Sequence, residues 1–218
     1  MSRQQGPRLK SSSTTRGCLS TRIRRVLALT AWLISSLAAA QPSSAQVPAY
    51  EVTSEESTIK FGVDSSASIK GVFDKWNAVV TFSSRDVRSA AIDIEIEADS
   101  VSTGSHVKDN KLKSKDFFNV RESPLITFKS TKMVQAGPYT FNVEGNFTIR
   151  GVTKTEKLTL ASDSKGTPTG TLDGTMAFDR KEYGMTSGIP FIRIADRVEV
   201  NVRLKWKQIG GPPPVFEQ

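Results

Sequence analysis

The stretch Tyr139–Ile149, which reads YTFNVEGNFTI, alternates between two kinds of side chain over eleven residues. Tyr, Phe, Val, Gly, Phe and Ile take the odd-numbered positions, whereas Thr, Asn, Glu, Asn and Thr take the even-numbered ones. Successive side chains of a β-strand point to opposite faces of a sheet, whereas one face of a helix recurs every three or four residues. The stretch therefore predicts a β-strand with one face in an apolar interior and the other face in water.

The same alternation recurs along most of the chain after Tyr50. In Ile92–Ala98, for example, three isoleucines alternate with acidic residues on the opposite face. Turn-forming Gly and Pro residues separate the stretches, which together predict about eight antiparallel strands. The alternation fails around Ser105–Phe118, where we expect a short helical or irregular segment. The remaining stretches are Ile59–Val63, Leu125–Ser130, Leu158–Leu160, Leu172–Phe178 and Val198–Trp206.

Long antiparallel strands have to protect the unpaired backbone groups at the edges of their sheet, and closure into a barrel does this most completely. An eight-stranded barrel has an interior wide enough for packed side chains or for one slim ligand. The inward positions carry Phe, Ile and Val and almost no ionisable side chain, so the interior suits a hydrocarbon better than a polar metabolite. Periodicity leaves open whether the interior is filled or hollow.

The basic charge of the chain is concentrated at its start. The 218 residues carry 30 Lys and Arg against 22 Asp and Glu, a net charge of +8, which by itself points to nucleic acid or an anionic membrane. Residues 1–45, however, hold seven of the basic residues and no acidic one, so residues 46–218 have a net charge of only +1. We therefore expect no nucleic-acid partner.

The first 45 residues have the organisation of a secretory signal peptide. Arginines precede the apolar run Val26–Ala40, which is short for a transmembrane helix, and small residues follow it. We expect cleavage after Ala45 and a periplasmic or secreted protein, with an uncleaved N-terminal anchor as the alternative. The predicted organisation is a signal peptide at 1–45, a barrel at 46–208 and a disordered Gly/Pro-rich tail at 209–218.

Few side chains able to carry out chemistry remain after residue 45. Cys18 is the only cysteine and His106 the only histidine, which excludes a disulfide framework within the chain and a metal cluster built from Cys or several His. No nucleophile-elbow sequence accompanies His106. We predict no catalytic residue, no metal site and no cofactor other than a bound lipid.

Residues 50–206 resemble the YceI-like family of secreted polyisoprenoid-binding proteins. Ten segments carry the resemblance in order: Tyr50–Val52, Ser57–Phe61, Ile69–Phe73, Ile92–Ile96, Ser100–Gly104, Lys111–Val120, Pro124–Ser130, Val143–Thr153, Asp179–Met185 and Ile194–Val198. The resemblance implies an extended, lipocalin-like antiparallel barrel that holds a long isoprenoid chain in an apolar tunnel. The chain departs from the family at Glu56 and Lys111, where many relatives carry histidine, so no head-group contact is transferred from those positions.

Two groups of residues are the candidate binding site. The first consists of inward apolar side chains, which form either a tunnel wall or simply a packed core: Phe61, Phe73, Trp76, Phe82, Ile94, Ile96, Phe118, Phe128, Phe141, Phe147, Phe178 and Phe191. The second consists of cations for a polar head group: Lys111 and Lys113, which lie in the basic segment Lys108–Lys115 beside Phe117 and Phe118, and Arg180. The alternative for Lys108–Lys115 is a solvated loop, and a further functional reading is transient contact with a membrane surface.

The predicted function is that of a binding or carrier protein for a polyisoprenoid or a similar long-chain lipid. Burial of a hydrocarbon tail contributes roughly 25 cal/mol per Å² and needs no directional contact, so an apolar wall is sufficient. Two alternatives remain: an enzyme that acts on an isoprenoid or quinone-like substrate, and a ligand-free interaction module of the cell envelope. The oligomeric state stays open.

Overall fold

Ten antiparallel β-strands form one curled sheet in the computed structural model, which describes residues 46–66, 69–164, 167–188 and 193–216. These residues also form one α-helix, α1. The elements are β1 (Ala49–Ser65), β2 (Ile69–Phe73), β3 (Trp76–Phe82), β4 (Ala90–Glu97), β5 (Val101–Ser102), α1 (His106–Lys113), β6 (Leu125–Gly137), β7 (Thr140–Ile149), β8 (Val152–Ser162), β9 (Thr169–Asp179) and β10 (Ile194–Gly210).

A bend in the chain joins β3, at one edge of the sheet, to β2, which lies next to the other edge. Neighbouring strands pair in the order β3-β4-β6-β7-β8-β9-β10-β1-β2-β5. β2 pairs with β1 and β3 pairs with β4, although only Asp74 and Lys75 separate β2 from β3 along the chain. The backbone N–H of Asp74 donates to the Ser100 carbonyl at 3.3 Å, and that of Glu97 donates to the Lys75 carbonyl at 3.0 Å. The sheet therefore curls around its apolar face.

The predicted all-β fold with a short helix is confirmed, and the strand count needs one correction. The described residues form ten strands rather than about eight, because β2, β3 and β5 lie outside the seven alternating stretches found in the sequence. Asp74 and Lys75 divide β2 from β3, and the 3₁₀ turn Ala98–Ser100 divides β4 from β5. If each interrupted pair is counted as one run, the ten strands form eight runs.

The inward faces are those that the alternation predicts. In β7, Phe141, Val143, Gly145, Phe147 and Ile149 are buried, and the residues between them are half-buried or exposed. In β4, the isoleucines are buried and the acidic residues between them are exposed. One hydrophobic core, to which every long strand contributes, lies on the concave side of the sheet.

Two glycines let aromatic rings lie against neighbouring strands. A Cβ atom on Gly145 would lie 2.5 Å from the Phe128 ring and 2.8 Å from the Lys129 carbonyl oxygen. A Cβ atom on Gly71 would lie 2.7 Å from the Phe61 ring. Because such distances are far inside van der Waals contact, glycine is required wherever these rings cross the strand.

The helix and the turn after it cover one end of the curled sheet. The Asp109 carboxylate accepts hydrogen bonds from the Thr103 backbone N–H at 2.8 Å and from its hydroxyl at 2.6 Å, which fixes the start of α1. Leu112 is the only buried residue of α1. The chain then places Phe118 5.8 Å from Phe73 and 6.2 Å from Phe61, measured between ring centroids. The segment that lacks strand alternation is therefore held by its apolar side chains.

The C-terminal segment differs from the disordered tail expected at 209–218. Up to Phe216, the last described residue, it crosses the opposite end of the sheet from α1. The Val215 backbone N–H donates to the Arg85 carbonyl at 2.6 Å, and the Val215 carbonyl accepts from the Val87 N–H at 3.1 Å. The Phe216 ring lies 6.2 Å from that of Phe141. Composition predicts disorder here, but one apolar ring and two backbone hydrogen bonds are enough to dock the segment.

The signal peptide expected at 1–45 lies outside the described residues. Among the residues that are described, no helix has both the length and the apolar character needed to cross a membrane.

Candidate functional site

An apolar cavity of about 820 Å³ lies on the concave side of the sheet, beneath α1 and the turn that follows it. Cavities of this size lie within the range that holds small organic ligands. Aromatic and aliphatic side chains from the strands and from the α1 segment form its wall: Ile59, Phe61, Val63, Ile69, Phe73, Ile96, Leu112, Phe117, Phe118, Ile126, Phe147, Ile149, Phe178, Met185, Ile194, Val198 and Val200.

The cavity reaches the surface beside α1. Val107, which is 81% exposed, lines it on the outer side together with the exposed residues Asn110 and Lys115. At the inner side the wall includes half-buried Val63 and Val200, although both belong to the inward-facing alternation of β1 and β10. Inward apolar side chains that remain partly accessible indicate empty space rather than a filled core.

Two aromatic clusters fix the shape of the wall. Phe61, Phe73 and Phe118 form one of them. In the other, the ring centroids of Phe147 and Phe178 are 5.1 Å apart, and Tyr183 meets both rings edge-on. The Tyr183 hydroxyl donates to the Glu156 carboxylate at 2.8 Å, and burial together with this bond raises the pKa of the Tyr183 hydroxyl. Tyr183 thus remains neutral and supports the second cluster from outside the cavity.

An ion pair stands at the mouth of the cavity. The Lys111 ammonium donates to the Asp116 carboxylate at 2.6 Å and lies 5.7 Å from the centre of the Phe117 ring. Its hydrogen bond and its charge, with further contributions from Lys115 and Ser187, lower the pKa of Asp116. Both side chains of the pair are about one-third exposed, at 34% each, so the pair lies at the boundary between cavity and solvent.

Arg180 also borders the cavity, and four of its five N–H groups hold residues 185–187 and the start of β10. Its residue is only 6% exposed. The guanidinium donates to the Ala195 carbonyl at 3.1 Å, to the Ser187 carbonyl at 3.0 Å and to the Met185 carbonyl, and it pairs with the Asp196 carboxylate at 3.2 Å. Lys181 shares the same carboxylate at 2.7 Å.

The predicted site residues fall into four groups. Those that line the cavity are Phe61, Phe73, Ile96, Phe118, Phe147, Phe178, Lys111 and Arg180. Two others, Phe82 and Phe141, line a smaller apolar cavity of about 100 Å³ at the opposite end of the sheet. Four residues line neither cavity: Trp76, Ile94, Phe128 and Lys113. Phe191 lies outside the described residues.

The smaller cavity is covered by the C-terminal segment. Pro213, Pro214 and Phe216 form part of its wall, opposite Tyr50 and Trp206. The segment therefore closes the end of the sheet that α1 leaves open.

Sequence reasoning missed the aliphatic half of the main wall. Val63, Met185, Val198 and Val200 line the cavity, whereas most of the apolar candidates predicted from the sequence are aromatic. The sequence does contain a pattern that indicates two of these residues, because Val198 and Val200 continue the inward alternation of β10. Across the described residues, no group of three or more His, Cys, Asp or Glu side chains is arranged to hold a metal ion.

The fold and the cavity define a class of protein: an antiparallel half-barrel that encloses one large apolar cavity and opens beside a short helix. The family model that describes the YceI-like domain matches residues 50–206. The chain belongs to the YceI-like family.

Similar sequences are bacterial proteins that carry the name UPF0312. One from Pectobacterium carotovorum subsp. carotovorum is 29% identical over 137 residues, which are 62% of this chain and 70% of the relative. One from Pseudomonas savastanoi pv. phaseolicola is 33% identical over 86 residues, 39% of this chain. The match spans only 45% of the Pseudomonas protein.

Solved structures agree on the fold. BcnA of Burkholderia cenocepacia has a TM-score of 0.65 at 23% identity, over 71% of this chain and 99% of that protein. A polyisoprenoid-binding domain from Saccharophagus degradans, implicated in plant cell wall breakdown, has a TM-score of 0.58 at 14% identity, over 74% of this chain and 99% of that domain. At these identities the likeness concerns the fold alone.

Proposed function

We propose that this chain binds a long-chain isoprenoid lipid, or a lipid of similar shape, in the cavity beneath α1 and carries it outside the cytoplasm. The observation that supports this most directly is the cavity itself, because its wall is almost entirely apolar over about 820 Å³. A neighbour of the same fold is described as a polyisoprenoid-binding domain, which agrees with a ligand of this class. The leader-like composition of residues 1–45 supports export.

The geometry favours a lipid whose apolar tail lies inside the cavity and whose polar head stays in the solvent. Each buried CH₂ group contributes about 0.8 kcal/mol, so a few isoprene units are sufficient for tight binding. The polar residues of the wall, such as Asn110, Lys111 and Lys115, are gathered where the cavity opens beside α1. A lipid would therefore enter tail first, with its head at the α1 side.

The direct test measures bound lipid in the purified protein. Organic extraction followed by mass spectrometry identifies lipid that copurifies, and titration of the delipidated protein with farnesol, geranylgeraniol and a longer polyprenol gives affinity against chain length. Affinity is expected to rise with chain length until the cavity is full. Absence of copurified lipid together with no uptake of any of these alcohols would overturn the proposal.

A pair of variants tests whether the ligand binds in the cavity. Val200→Trp places a large side chain in the empty space beside β10, whereas Val79→Trp places the same side chain on the exposed face of β3, where Val79 is 44% exposed. Val200→Trp is expected to abolish most geranylgeraniol binding with the unfolding midpoint retained, and Val79→Trp is expected to bind as the unmodified chain does. Equal binding by both variants would place the ligand elsewhere.

A further inference from the structure

The smaller cavity of about 100 Å³, at the end of the sheet that the C-terminal segment covers, is a space of its own. None of the described residues in its wall also lines the main cavity. Along the inward face of β7, Phe141 lines the smaller cavity and Phe147 the main one, whereas Val143 between them is buried and lines neither. A Cβ atom on Gly174 would lie only 3.2 Å from the Leu158 side chain, which shows how tightly this middle layer is packed. A ligand of the main cavity therefore does not explain the smaller one.

The wall of the smaller cavity is aromatic and uncharged. Its described part contains no Asp, Glu, Lys, Arg or His side chain. Tyr50 meets the Trp206 ring edge-on, with the ring centroids 4.9 Å apart, and lies 5.5 Å from the Phe82 ring. Because a buried charge without a partner is costly, such a wall favours a neutral ligand.

One side of the wall has hydrogen-bonding capacity that is not used. Ser164 is only 8% exposed, and its hydroxyl reaches the Thr167 carbonyl and hydroxyl only at 3.4 Å, which is long for such bonds. Trp206 is only 9% exposed, and its indole N–H has no acceptor in the described part of the chain. A Cβ atom on Gly170 would lie 2.9 Å from Trp206 Cε2 and 2.8 Å from Ser164 Cβ, so the two polar groups are neighbours. Since buried polar groups normally have partners, this side of the wall fits one hydrogen-bonding group of a ligand.

The C-terminal segment that closes this cavity is weakly attached. Apart from the two backbone hydrogen bonds of Val215, the Arg85 guanidinium reaches the Pro213 carbonyl only at 3.5 Å. Val215 is 54% exposed and Phe216 is half-buried. Segments with so few buried contacts open at a low free energy, so this one can yield to a ligand. The segment also lies beyond residues 50–206, so membership of the family implies nothing about it.

We propose that the smaller cavity is a second binding site, which takes a small neutral aromatic molecule with one hydrogen-bonding group. The chain itself shows that the place accepts a ring, because Phe216 lies there, 6.2 Å from the Phe141 ring and 6.1 Å from the Tyr139 ring. An apolar cavity of about 150 Å³ holds benzene, so a small outward movement of the C-terminal segment makes room for a single ring. The polar group of the ligand then meets the Ser164 hydroxyl and the Trp206 indole N–H.

The experiment compares ligands that share one ring and differ in its substituent. The full chain is titrated at pH 7 with p-cresol, toluene, benzoate and benzylamine. p-Cresol is expected to bind about fivefold more tightly than toluene, because its hydroxyl gains a hydrogen bond at Ser164 and Trp206. The charged benzoate and benzylamine are expected to bind at least about tenfold more weakly than p-cresol. Excess geranylgeraniol is expected to leave the affinity for p-cresol unchanged, since the two cavities have separate walls.

Two neighbouring alanines of β4 provide a matched pair of variants. Ala90 lines the smaller cavity, whereas Ala91 lies on the other face of the strand. Ala90→Phe is expected to abolish p-cresol binding, and Ala91→Phe is expected to bind it as the unmodified chain does. Nuclear magnetic resonance of the unmodified chain provides a second measurement. The indole N–H signal of Trp206 is expected to shift when p-cresol is added, whereas that of Trp76, which lines neither cavity, is expected to stay in place.

The outcomes separate this site from the proposed lipid-binding function. Absence of binding by both p-cresol and toluene overturns the second site and leaves the lipid-binding function untouched. Displacement of p-cresol by geranylgeraniol, equal p-cresol binding by two folded alanine variants, or an unshifted Trp206 signal overturns the location. Equal affinity for p-cresol and toluene overturns the hydrogen-bonding group, and binding of benzoate or benzylamine as tight as that of p-cresol overturns the neutral class. If Ala90→Phe does not fold, the Trp206 signal alone decides the location.

Discussion

Arg180 is a buried cation whose hydrogen bonds go to three backbone carbonyls and one carboxylate. The carbonyls belong to Met185, Ser187 and Ala195, so one side chain ties residues 185–187 to the start of β10. Sequence reasoning proposed Arg180 as a head-group ligand. Because four of its five N–H donors are already used in this network, its main contribution to a ligand is its charge and the position of residues 185–187.

Replacement of Arg180 is expected to be costly. Arg180→Ala leaves buried carbonyls without donors and is predicted to lower the free energy of unfolding by about 3 kcal/mol. Arg203→Ala is the control, since Arg203 also pairs with a carboxylate, Asp173, but its side chain is 61% exposed. Urea unfolding of both variants measures the difference. Similar losses for the two would show that burial of Arg180 adds nothing to stability.

Phe128 and Phe147 show that the sequence pattern predicts which face a side chain takes but not whether it lines the cavity. The two residues are paired across β6 and β7, and both follow the inward alternation. Yet only Phe147 lines the main cavity, because the Phe128 ring lies against Gly145 and fills the space there. Alternation predicts which face a side chain takes. Whether that side chain meets a ring or an empty space depends on contacts between strands that are distant in sequence.

At the scale of elements, the β-strands can be predicted from the sequence more directly than the C-terminal segment that covers one end of the sheet. A period of two is a local property, so β4 and β7 are recognisable from their own residues. The C-terminal segment has no such pattern, and its Gly and Pro content alone suggests disorder. Its docking depends on Phe216 meeting Phe141 and on backbone bonds to the β3–β4 connection, which only the folded sheet provides.

Removal of the C-terminal cover is expected to open the smaller cavity. Truncation after Gly211 deletes Pro213, Pro214 and Phe216 from its wall and exposes the rings of Phe82 and Trp206. Exposed apolar surface binds the dye ANS, so its fluorescence is expected to rise while the far-ultraviolet circular dichroism keeps its strand signal. Ile209→Ala, at a side chain that is 60% exposed, is the control and leaves the dye signal low. Unchanged dye fluorescence after truncation would contradict a covering role.

For the whole molecule, the segments around the mouth of the main cavity depend on ionised carboxylates more than strand β7 does. The pKa values of four aspartates are lowered by hydrogen bonds or charges from neighbouring residues: Asp86, Asp109, Asp116 and Asp196. Three of them hold segments around the mouth of the main cavity, through Thr103, Lys111 and the Arg180–Lys181 pair respectively. Strand β7, in contrast, is held by its buried apolar side chains and by backbone ladders to β6 and β8.

Acid is therefore expected to loosen the mouth of the cavity before it unfolds the sheet. A carboxyl group whose pKa is lowered by folding adds stability above its unfolded pKa, about 4 for Asp, and that stability is lost as pH falls through the folded value. Hydrogen exchange, corrected for the intrinsic effect of pH, should show protection falling below about pH 4 in 103–118 and 180–188 while β7 stays protected. Asp116→Asn should produce part of the same loosening at neutral pH, because Lys111 then has no anionic partner there. Loss of protection in β7 at the same pH as in these two segments would contradict the prediction, since the sheet and the mouth would then open as one unit.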